Sequence, residues 1–287
     1  MTAPELPRVV TTGAADSAWS SLRRGVTDMV AARELVLNLV QRELKLRHRG
    51  TVFGMLWSLA TPLMLVGIYT LVFGYLLGAQ TVDFPGIPFA VYLFTGLVLW
   101  QLFSNGMGGA AGSIVGAGYL LRKVYFPRAI MPLASVLSAV VTFGFEFAVA
   151  LVVVVVTVGV PGWWFLSVPL IIAPVVLLAY AFGLLLSAAT VFFRDIEHFL
   201  GLVLQLWFWA TPILYELSFV RGRSPVAAEI LQLNPLSGPV VSLRNVLLLD
   251  APPDWPLLGY TTVVGLVVLA VAAVVFARSQ RLFAEIV

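Results

Sequence analysis

Few residues of this sequence could perform acid–base, nucleophilic or metal chemistry. The chain has no cysteine, and its two histidines, His48 and His198, lie far apart along it. It contains no His-Glu-x-x-His, Asp-x-x-Asp or Gly-x-Ser-x-Gly pattern, and no Gly-Lys pair that could belong to a Walker A loop. We therefore expect no catalytic residue and no metal site, and any ATP hydrolysis must take place on another chain.

Glu146, in the stretch FGFEFAVALVVVVV, is the ionisable residue that lies inside a predicted membrane span. A carboxylate at mid-membrane depth is costly and by default indicates a function. The alternative is a structural hydrogen bond to a neighbouring helix, made by the neutral acid. A proton relay is disfavoured, because Glu146 is a single carboxylate and we expect no second acid and no buried Arg or Lys to accompany the spans.

Large aromatic rings are the other unusual side chains. The stretch FFRDIEHFLGLVLQLWFWATPILYE, residues 192–216, begins with charge and ends at Pro and Tyr, and its apolar part is crowded with Trp and Phe. Leu and Val would satisfy lipid equally well, so contact with lipid does not account for these rings.

The elements that position these side chains are membrane-spanning helices. The chain is 60% hydrophobic and 11% charged, more apolar than a soluble domain can hide. Apolar runs of 18 or more residues recur along it. We predict an all-α polytopic membrane protein whose six spans cover about residues 54–78, 89–109, 129–158, 166–192, 199–215 and 256–276.

The distribution of basic residues predicts the orientation in the membrane. An even number of spans places both termini on one side, and cytoplasmic segments carry an excess of Lys and Arg. With a cytoplasmic N-terminus, the cytoplasmic segments hold fourteen of the seventeen basic residues, and the outer loops hold Arg221, Arg223 and Arg244. We therefore predict that both termini are cytoplasmic.

Residues 28–50 have the pattern of an amphipathic helix. Its apolar residues share one face: Val36, Leu39, Val40 and Leu44. We favour a helix that lies in the membrane interface, because a span follows almost at once; a helix that packs on the rest of the protein is the alternative. Residues 1–50 thus form a cytoplasmic tail with an interfacial helix, and residues 51–287 form the transmembrane domain.

The predicted outer loop from Leu217 to Pro256 alternates apolar stretches with helix breakers. Two apolar stretches, 226–233 and 239–249, flank Asn234-Pro235, and each is too short to span. We favour re-entrant half-helices that enter the outer leaflet and return. A small external cap is the alternative.

Several stretches resemble, in order, the segments of one family. RHRGTVFGMLWSLATPLMLVGIYTLVFG, with Leu56, Trp57 and Pro62, is followed by YLFTGLVLWQLFSNGM and YLLRKVYFPRAIMPLASVLS. FFRDIEHFLGLVLQLWFWATPILY then precedes LNPLSGPVVSLRNVLL. From about residue 28 onward, the chain resembles the membrane subunit of ABC-2-type polysaccharide exporters, the O-antigen and teichoic-acid export permeases.

This resemblance implies a half-transporter. Two copies would pair with two ATPase subunits, which bind ATP and Mg²⁺, and would move a lipid-linked glycan from the inner to the outer face. The conduit would lie between the two copies and be lined by aromatic rings, on which the C–H face of a sugar packs weakly enough to slide. The candidate lining residues are Trp57, Tyr69, Phe73, Trp100, Phe103, Trp207, Trp209 and Tyr215. An interfacial belt or helix packing is the alternative for each ring.

The partner ATPase must act on short cytoplasmic loops. The loop from Gly112 to Arg128 places apolar residues among charged ones, which suits a docking element. Charges that only set the topology are the alternative. The candidate coupling residues are Leu121, Arg122, Lys123, Tyr125, Phe126 and Arg128, together with Arg194, Asp195 and Glu197 from the next cytoplasmic loop.

Other functions remain to be separated from polysaccharide export. A drug or small-lipid exporter of the same family has a similar topology. An integral-membrane glycosyl- or acyltransferase would need paired carboxylates or an essential histidine, and an ion-coupled carrier would need buried charge. The candidate glycans are O-antigen, teichoic acid and galactan. The Arg-, Ala- and Val-rich composition favours an actinobacterial galactan. No nucleic-acid partner is expected.

Overall fold

The computed structural model describes residues 33–47, 54–78, 83–118, 127–280 and 282–283. Within these ranges every regular element is a helix, as the sequence predicts. Lipid favours this outcome, because a helix satisfies its backbone groups internally. Some residues with predicted roles lie outside the described ranges: His48, Leu121, Arg122, Lys123, Tyr125 and Phe126.

Ten helices follow one another in the described ranges. They are α1 (Arg33–Arg47), α2 (Gly54–Leu76), α3 (Phe89–Gly116), α4 (Ile130–Thr157), α5 (Trp163–Phe192), α6 (Ile196–Ala210), α7 (Leu217–Arg223), α8 (Pro225–Gln232), α9 (Ser237–Leu248) and α10 (Trp255–Ser279). Five of them, α2 to α5 and α10, are long and apolar enough to cross a membrane.

The helix at the fifth predicted span is shorter than the prediction. α6 has 15 residues, a length of about 22 Å against an apolar layer of about 30 Å. Thr211 adopts the extended φ and ψ of −98° and 136° that a residue before proline favours. Because Pro212 also has no backbone N–H, the rest of the predicted span, up to Tyr215, is not helical.

α3 is the most buried of the five long helices, and small residues allow α5 to approach it closely. A Cβ atom added to Gly106 of α3 would lie 3.3 Å from the Cβ of Ala179, and one added to Gly183 of α5 would collide with the Cβ of Ala110. Each helix thus presents two small residues four positions apart. Membrane helices commonly approach one another through this spacing.

α1 packs its apolar face on protein. Val36, Leu39 and Val40 are buried in a cluster with Ile130 and Met131 of α4. This face of α1 therefore contacts the rest of the protein, and the position of α1 in the membrane interface stays a prediction. Leu37 and Leu46 of the same helix stay exposed.

The same cluster defines one end of the helix bundle. At this end, which we term the α1 end, α4 begins and α3, α5 and α10 finish. The opposite end, which we term the far end, carries the start of α3, the start of α10 and the segment between α6 and α10.

The segment between α6 and α10 folds into short helices, and α9 lies inside the bundle. α8 and α9 flank Asn234-Pro235 as predicted, and neither is long enough to span. α9 is buried against α3, α5 and α10. This enclosure fits a re-entrant half-helix better than an external cap, which would leave one side of α9 exposed.

We expect Gly183→Ala to lower the free energy of unfolding by about 1–3 kcal/mol, because the added methyl group overpacks the α3–α5 contact. Gly144→Ala on α4 is the matched control, since a Cβ there has no neighbour within 4 Å. The control should be neutral or stabilising by up to about 1 kcal/mol, because alanine favours a helix over glycine. Reversible unfolding in mixed micelles, followed by tryptophan fluorescence, measures both. Equal effects of the two substitutions would contradict this packing.

Candidate functional site

The break after α6 removes helical partners from several backbone carbonyl groups. Residues 211–216 are not helical, yet most of them are buried. In a continuous α-helix each carbonyl accepts a hydrogen bond from the N–H group four residues later. A buried carbonyl left without a partner costs about 1–3 kcal/mol, so donors from other segments are needed here.

Arg244 of α9 supplies two of these donors. Its Nη1 donates to the carbonyl of Pro212 and its Nη2 to the carbonyl of Ile213, each at 2.7 Å. It also donates to Tyr92 of α3, from Nε to the carbonyl at 3.2 Å and from Nη1 to the phenol oxygen at 2.7 Å. The guanidinium carbon lies 3.6 Å from the centroid of the Tyr92 ring. Oxygen atoms and a ring face therefore hold this cation, which is only 2% exposed.

Neighbouring residues complete this arrangement. A Cβ atom at Gly96, one turn after Tyr92, would lie 2.5 Å from Nη2 of Arg244, so glycine leaves the space that the guanidinium occupies. The phenol of Tyr92 donates in turn to the carbonyl of Tyr215 at 2.9 Å. We term Tyr92, Arg244 and the carbonyls of residues 212, 213 and 215 the polar node.

Asn234 connects the same break to the start of α9. Its amide nitrogen donates to the carbonyl of Ala210 at 3.0 Å and to Oγ1 of Thr211 at 2.9 Å. Its amide oxygen accepts from Nε1 of Trp207 at 2.9 Å and from the backbone nitrogen of Leu236 at 3.0 Å. One side chain thereby joins the end of α6 to the turn between α8 and α9.

The position of Arg244 corrects two expectations from the sequence. Arg244 is not a loop charge that reports topology, because it is buried within the protein. The expectation that the spans are accompanied by no buried Arg or Lys is wrong for the same reason. The sequence did carry a signal, since a single arginine inside the apolar stretch 239–249 is costly and by default functional.

Six of the eight predicted lining rings belong to one connected group, which we term the aromatic array. Its members come from α2, α3, α5 and α6, and they are Tyr69, Phe73, Trp100, Phe103, Trp207 and Trp209, together with Phe182 and Phe208. The contacting ring centroids lie between 5.0 and 6.4 Å apart. Such separations are typical of offset and edge-to-face pairs.

Phe208 joins the array, although the sequence did not single it out. Its ring lies 6.1 Å from that of Tyr69 on α2 and 5.6 Å from that of Trp100 on α3. Trp207, Phe208 and Trp209 are consecutive, so their side chains leave α6 in three directions. The sequence does not show which of these directions faces α2 and α3.

The array is partly enclosed by the chain itself. Phe103 and Trp100 are buried, whereas Trp209 is 45% exposed. Trp57, at the start of α2, is 53% exposed. Tyr215 lies in the break and donates its hydroxyl hydrogen to the carbonyl of Trp209 at 2.9 Å. Trp57 and Trp209 are therefore the predicted lining residues that most expose their rings at the surface.

Four predicted coupling residues lie near the α1 end: Arg128 before α4, and Arg194, Asp195 and Glu197 at the start of α6. A Cβ atom at Gly112 of α3 would lie 2.8 Å from Oε1 of Glu197, so the start of α6 rests on α3. The predicted loop from Gly112 begins later than expected, since α3 continues to Gly116. The coupling role itself stays a prediction.

Glu146 is buried on α4, at 2% exposure. Whether it acts through its charge or as a structural hydrogen-bonding group stays a prediction. Among the residues that the structure describes, no group of three His, Asp or Glu residues is placed to hold a metal ion.

Comparison with known proteins places these features in a family. A family model described as ABC-2 type transporter matches residues 34–248, from α1 to the last residue of α9. The O-antigen export system permease protein RfbA of Myxococcus xanthus is 32% identical over 262 residues, which cover 91% of this chain and 98% of that protein. A Klebsiella pneumoniae protein of the same name is 28% identical over 259 residues, covering 88% and 95% of the two chains.

We expect Arg244→Met to lower the free energy of unfolding by about 2–5 kcal/mol, because two buried carbonyls lose their donors. Arg223→Met is the matched control: Arg223 is exposed at the end of α7, with its guanidinium carbon 4.6 Å from the centroid of the Phe219 ring. The control should change stability by less than about 1 kcal/mol. The free energy of unfolding of both purified variants is measured in mixed micelles. A wild-type free energy of unfolding for Arg244→Met would contradict a stabilising role of the polar node.

Proposed function

This chain belongs to the ABC-2 type transporter family, and from that membership we propose that it is the transmembrane subunit of an ATP-driven exporter of lipid-linked polysaccharide. The observation that carries the proposal is similarity along nearly the whole chain to permeases named for O-antigen export. The glycan would move from the cytoplasmic to the outer face of the plasma membrane. A drug or lipid exporter is the weaker alternative, because the relatives named above are export permeases for a polysaccharide.

The proposed assembly contains two copies of this chain and two ABC ATPase subunits. Hydrolysis of ATP takes place on the ATPase subunits, since this chain has no Gly-Lys pair that a Walker A loop requires. The α1 end faces the cytoplasm in this proposal, because residues 1–50 hold eight of the seventeen basic residues. The far end then faces outward.

The aromatic array supplies the proposed track for the glycan. Trp57 and Trp209 expose ring faces at the surface of the chain, and the rings of Tyr69 and Phe208 contact the ring of Trp209. A sugar ring packs its C–H face on such rings through many weak contacts of similar strength. The second copy would close the track, so that the polymer slides between two sets of rings.

α6 offers a direct route from ATPase to track. Its first turn carries Glu197 and follows Arg194 and Asp195 at the proposed cytoplasmic end, and its last turn carries Trp207 and Trp209. A helix of 15 residues transmits a displacement over about 22 Å as a nearly rigid body. The break at Pro212 then lets α6 move without carrying α7 along as one continuous helix. Leu121 and Phe126 stay the proposed apolar contacts with the ATPase.

Depletion of this chain in its native cell tests the proposed function. We expect a lipid-linked glycan to accumulate on the cytoplasmic leaflet, where a lectin detects it in inverted membrane vesicles and fails to detect it on intact spheroplasts. Re-expression of the chain should restore labelling at the outer surface. Unchanged surface glycan, with retention of a drug or simple lipid instead, would favour the alternative exporter and contradict the proposal.

We expect Trp57→Ala combined with Trp209→Ala to lower the rate of glycan export by about tenfold, since each ring contact contributes about 0.5–1.5 kcal/mol. Trp163→Ala is the matched control, because Trp163 is at least as exposed but is the first residue of α5 and lies outside the aromatic array. Surface labelling over time gives the rate, and co-purification with the ATPase shows that the complex is intact. Equal rates for the double variant and the control would rule out the track.

A further inference from the structure

A cavity of about 310 Å³ lies at the far end, next to the polar node. Its walls come from the break after α6, from α7 to α9 and from the start of α10. Tyr92, Pro212 and Arg244 of the polar node form part of its lining. The volume is at the lower end of that of small-molecule sites, roughly 300–1,000 Å³. The cavity therefore has room for a ligand the size of one or two sugar rings.

The lining offers hydrogen-bonding groups that the fold does not use. In the part of the chain that the structure describes, the side-chain amides of Gln232 and Asn245 and the guanidinium of Arg221 make no hydrogen bond. Asp254 accepts one hydrogen bond, at Oδ1 from the backbone nitrogen of Leu257 at 3.1 Å. A carboxylate can accept several. Amides, carboxylates and a guanidinium in one cavity match the alternating donors and acceptors of vicinal hydroxyl groups.

A ring connects this cavity to the aromatic array. Tyr215 lines the cavity, while its hydroxyl group is bound to the carbonyl of Trp209. The flat face of a tyrosine suits the C–H face of a sugar. The cavity thus continues the proposed track toward the outer side.

The charges of the lining select against anionic ligands. Three carboxylates face the cavity, those of Asp83, Glu216 and Asp254, against the two guanidinium groups of Arg221 and Arg244. Arg244 already donates to four acceptor atoms of the polar node. Arg221 is the cation that is left to meet a phosphate, so a phosphate group would enter a site with excess negative charge.

We propose that this cavity binds a neutral sugar unit of the exported glycan as the polymer leaves at the outer face, and that it discriminates against phosphate-bearing polymers. The proposal rests on the proposed function and extends it to a substrate class. Neutral polysaccharides, such as a galactan or an uncharged O-antigen, are then preferred over teichoic acids. The sugar hydroxyls bind to the amides of Gln232 and Asn245, and the sugar ring packs on Tyr215.

Binding of short oligosaccharides to the intact complex tests the site. The probes are neutral tetrasaccharides of galactose, glucose, mannose and N-acetylglucosamine, each also in a singly phosphorylated form, titrated by calorimetry into the complex in lipid nanodiscs. We expect at least one neutral probe to bind, and its phosphorylated form to bind roughly fivefold or more weakly. Gln232→Ala combined with Asn245→Ala should weaken binding of the neutral probe roughly tenfold or more, because two hydrogen bonds are lost.

Two further variants sharpen the test. Glu229→Ala is the control, since Glu229 is exposed on α8, one turn before Gln232, and does not line the cavity; it should leave binding unchanged. Asp83→Asn removes one of the three carboxylates. It should reduce the difference in binding affinity between the neutral and the phosphorylated probes.

The proposal is overturned if no neutral probe binds to the wild-type complex, if the double variant binds as the control does, or if the phosphorylated probes bind more tightly. If depletion of the chain still traps lipid-linked glycan on the inner leaflet, any of these probe results would refute sugar binding in the cavity. The proposed function would not be affected. A failed depletion experiment refutes the proposed function, whatever the probes show.

Discussion

Backbone carbonyls that lose their helical partners inside an apolar layer must find donors elsewhere, and in this protein that requirement arises at the break after α6. α6 has too few residues to cross the apolar layer, so its end lies within that layer. Arg244 donates to the carbonyls of Pro212 and Ile213. Asn234 donates to the carbonyl of Ala210, and Tyr92 donates to that of Tyr215. A charged residue is kept inside the protein because these carbonyls and a ring face surround it.

This requirement explains why two distant stretches of the chain belong together. The Thr-Pro-Ile-Leu-Tyr stretch creates the break, and the stretch from Asn234 to Arg244 supplies donors to it. The same bonds orient α6, since the indole of Trp207 is held by Asn234. The aromatic array and the cavity therefore both depend on one set of hydrogen bonds. A displacement of α6 would therefore change the geometry of both the aromatic array and the cavity.

The long helices could be predicted from the sequence because their signal is local: a run of apolar residues is sufficient to identify a span. The partners of the break could not, because the acceptors are backbone carbonyls, which have no side-chain signature. Arg244 was counted as a loop charge because its apolar stretch, 239–249, is too short to span. Similarly, the two-sided pattern of α1 predicts an apolar face, yet its residues do not show whether lipid or α4 covers it. The rings were identified by type, whereas the enclosure of Trp100 and the linking position of Phe208 depend on how three helices pack.

A double-mutant cycle between Tyr92 and Arg244 tests the central claim that the polar node holds the break. The free energy of unfolding is measured in mixed micelles for the wild type, Tyr92→Phe, Arg244→Met and the double variant. Because the phenol and the guanidinium share a 2.7 Å hydrogen bond and both donate to carbonyls of the same break, the two losses should not add. The account predicts an interaction energy of about 1 kcal/mol or more between the two sites. Additive losses, within about 0.3–0.5 kcal/mol, would show that the residues act independently and would contradict the account.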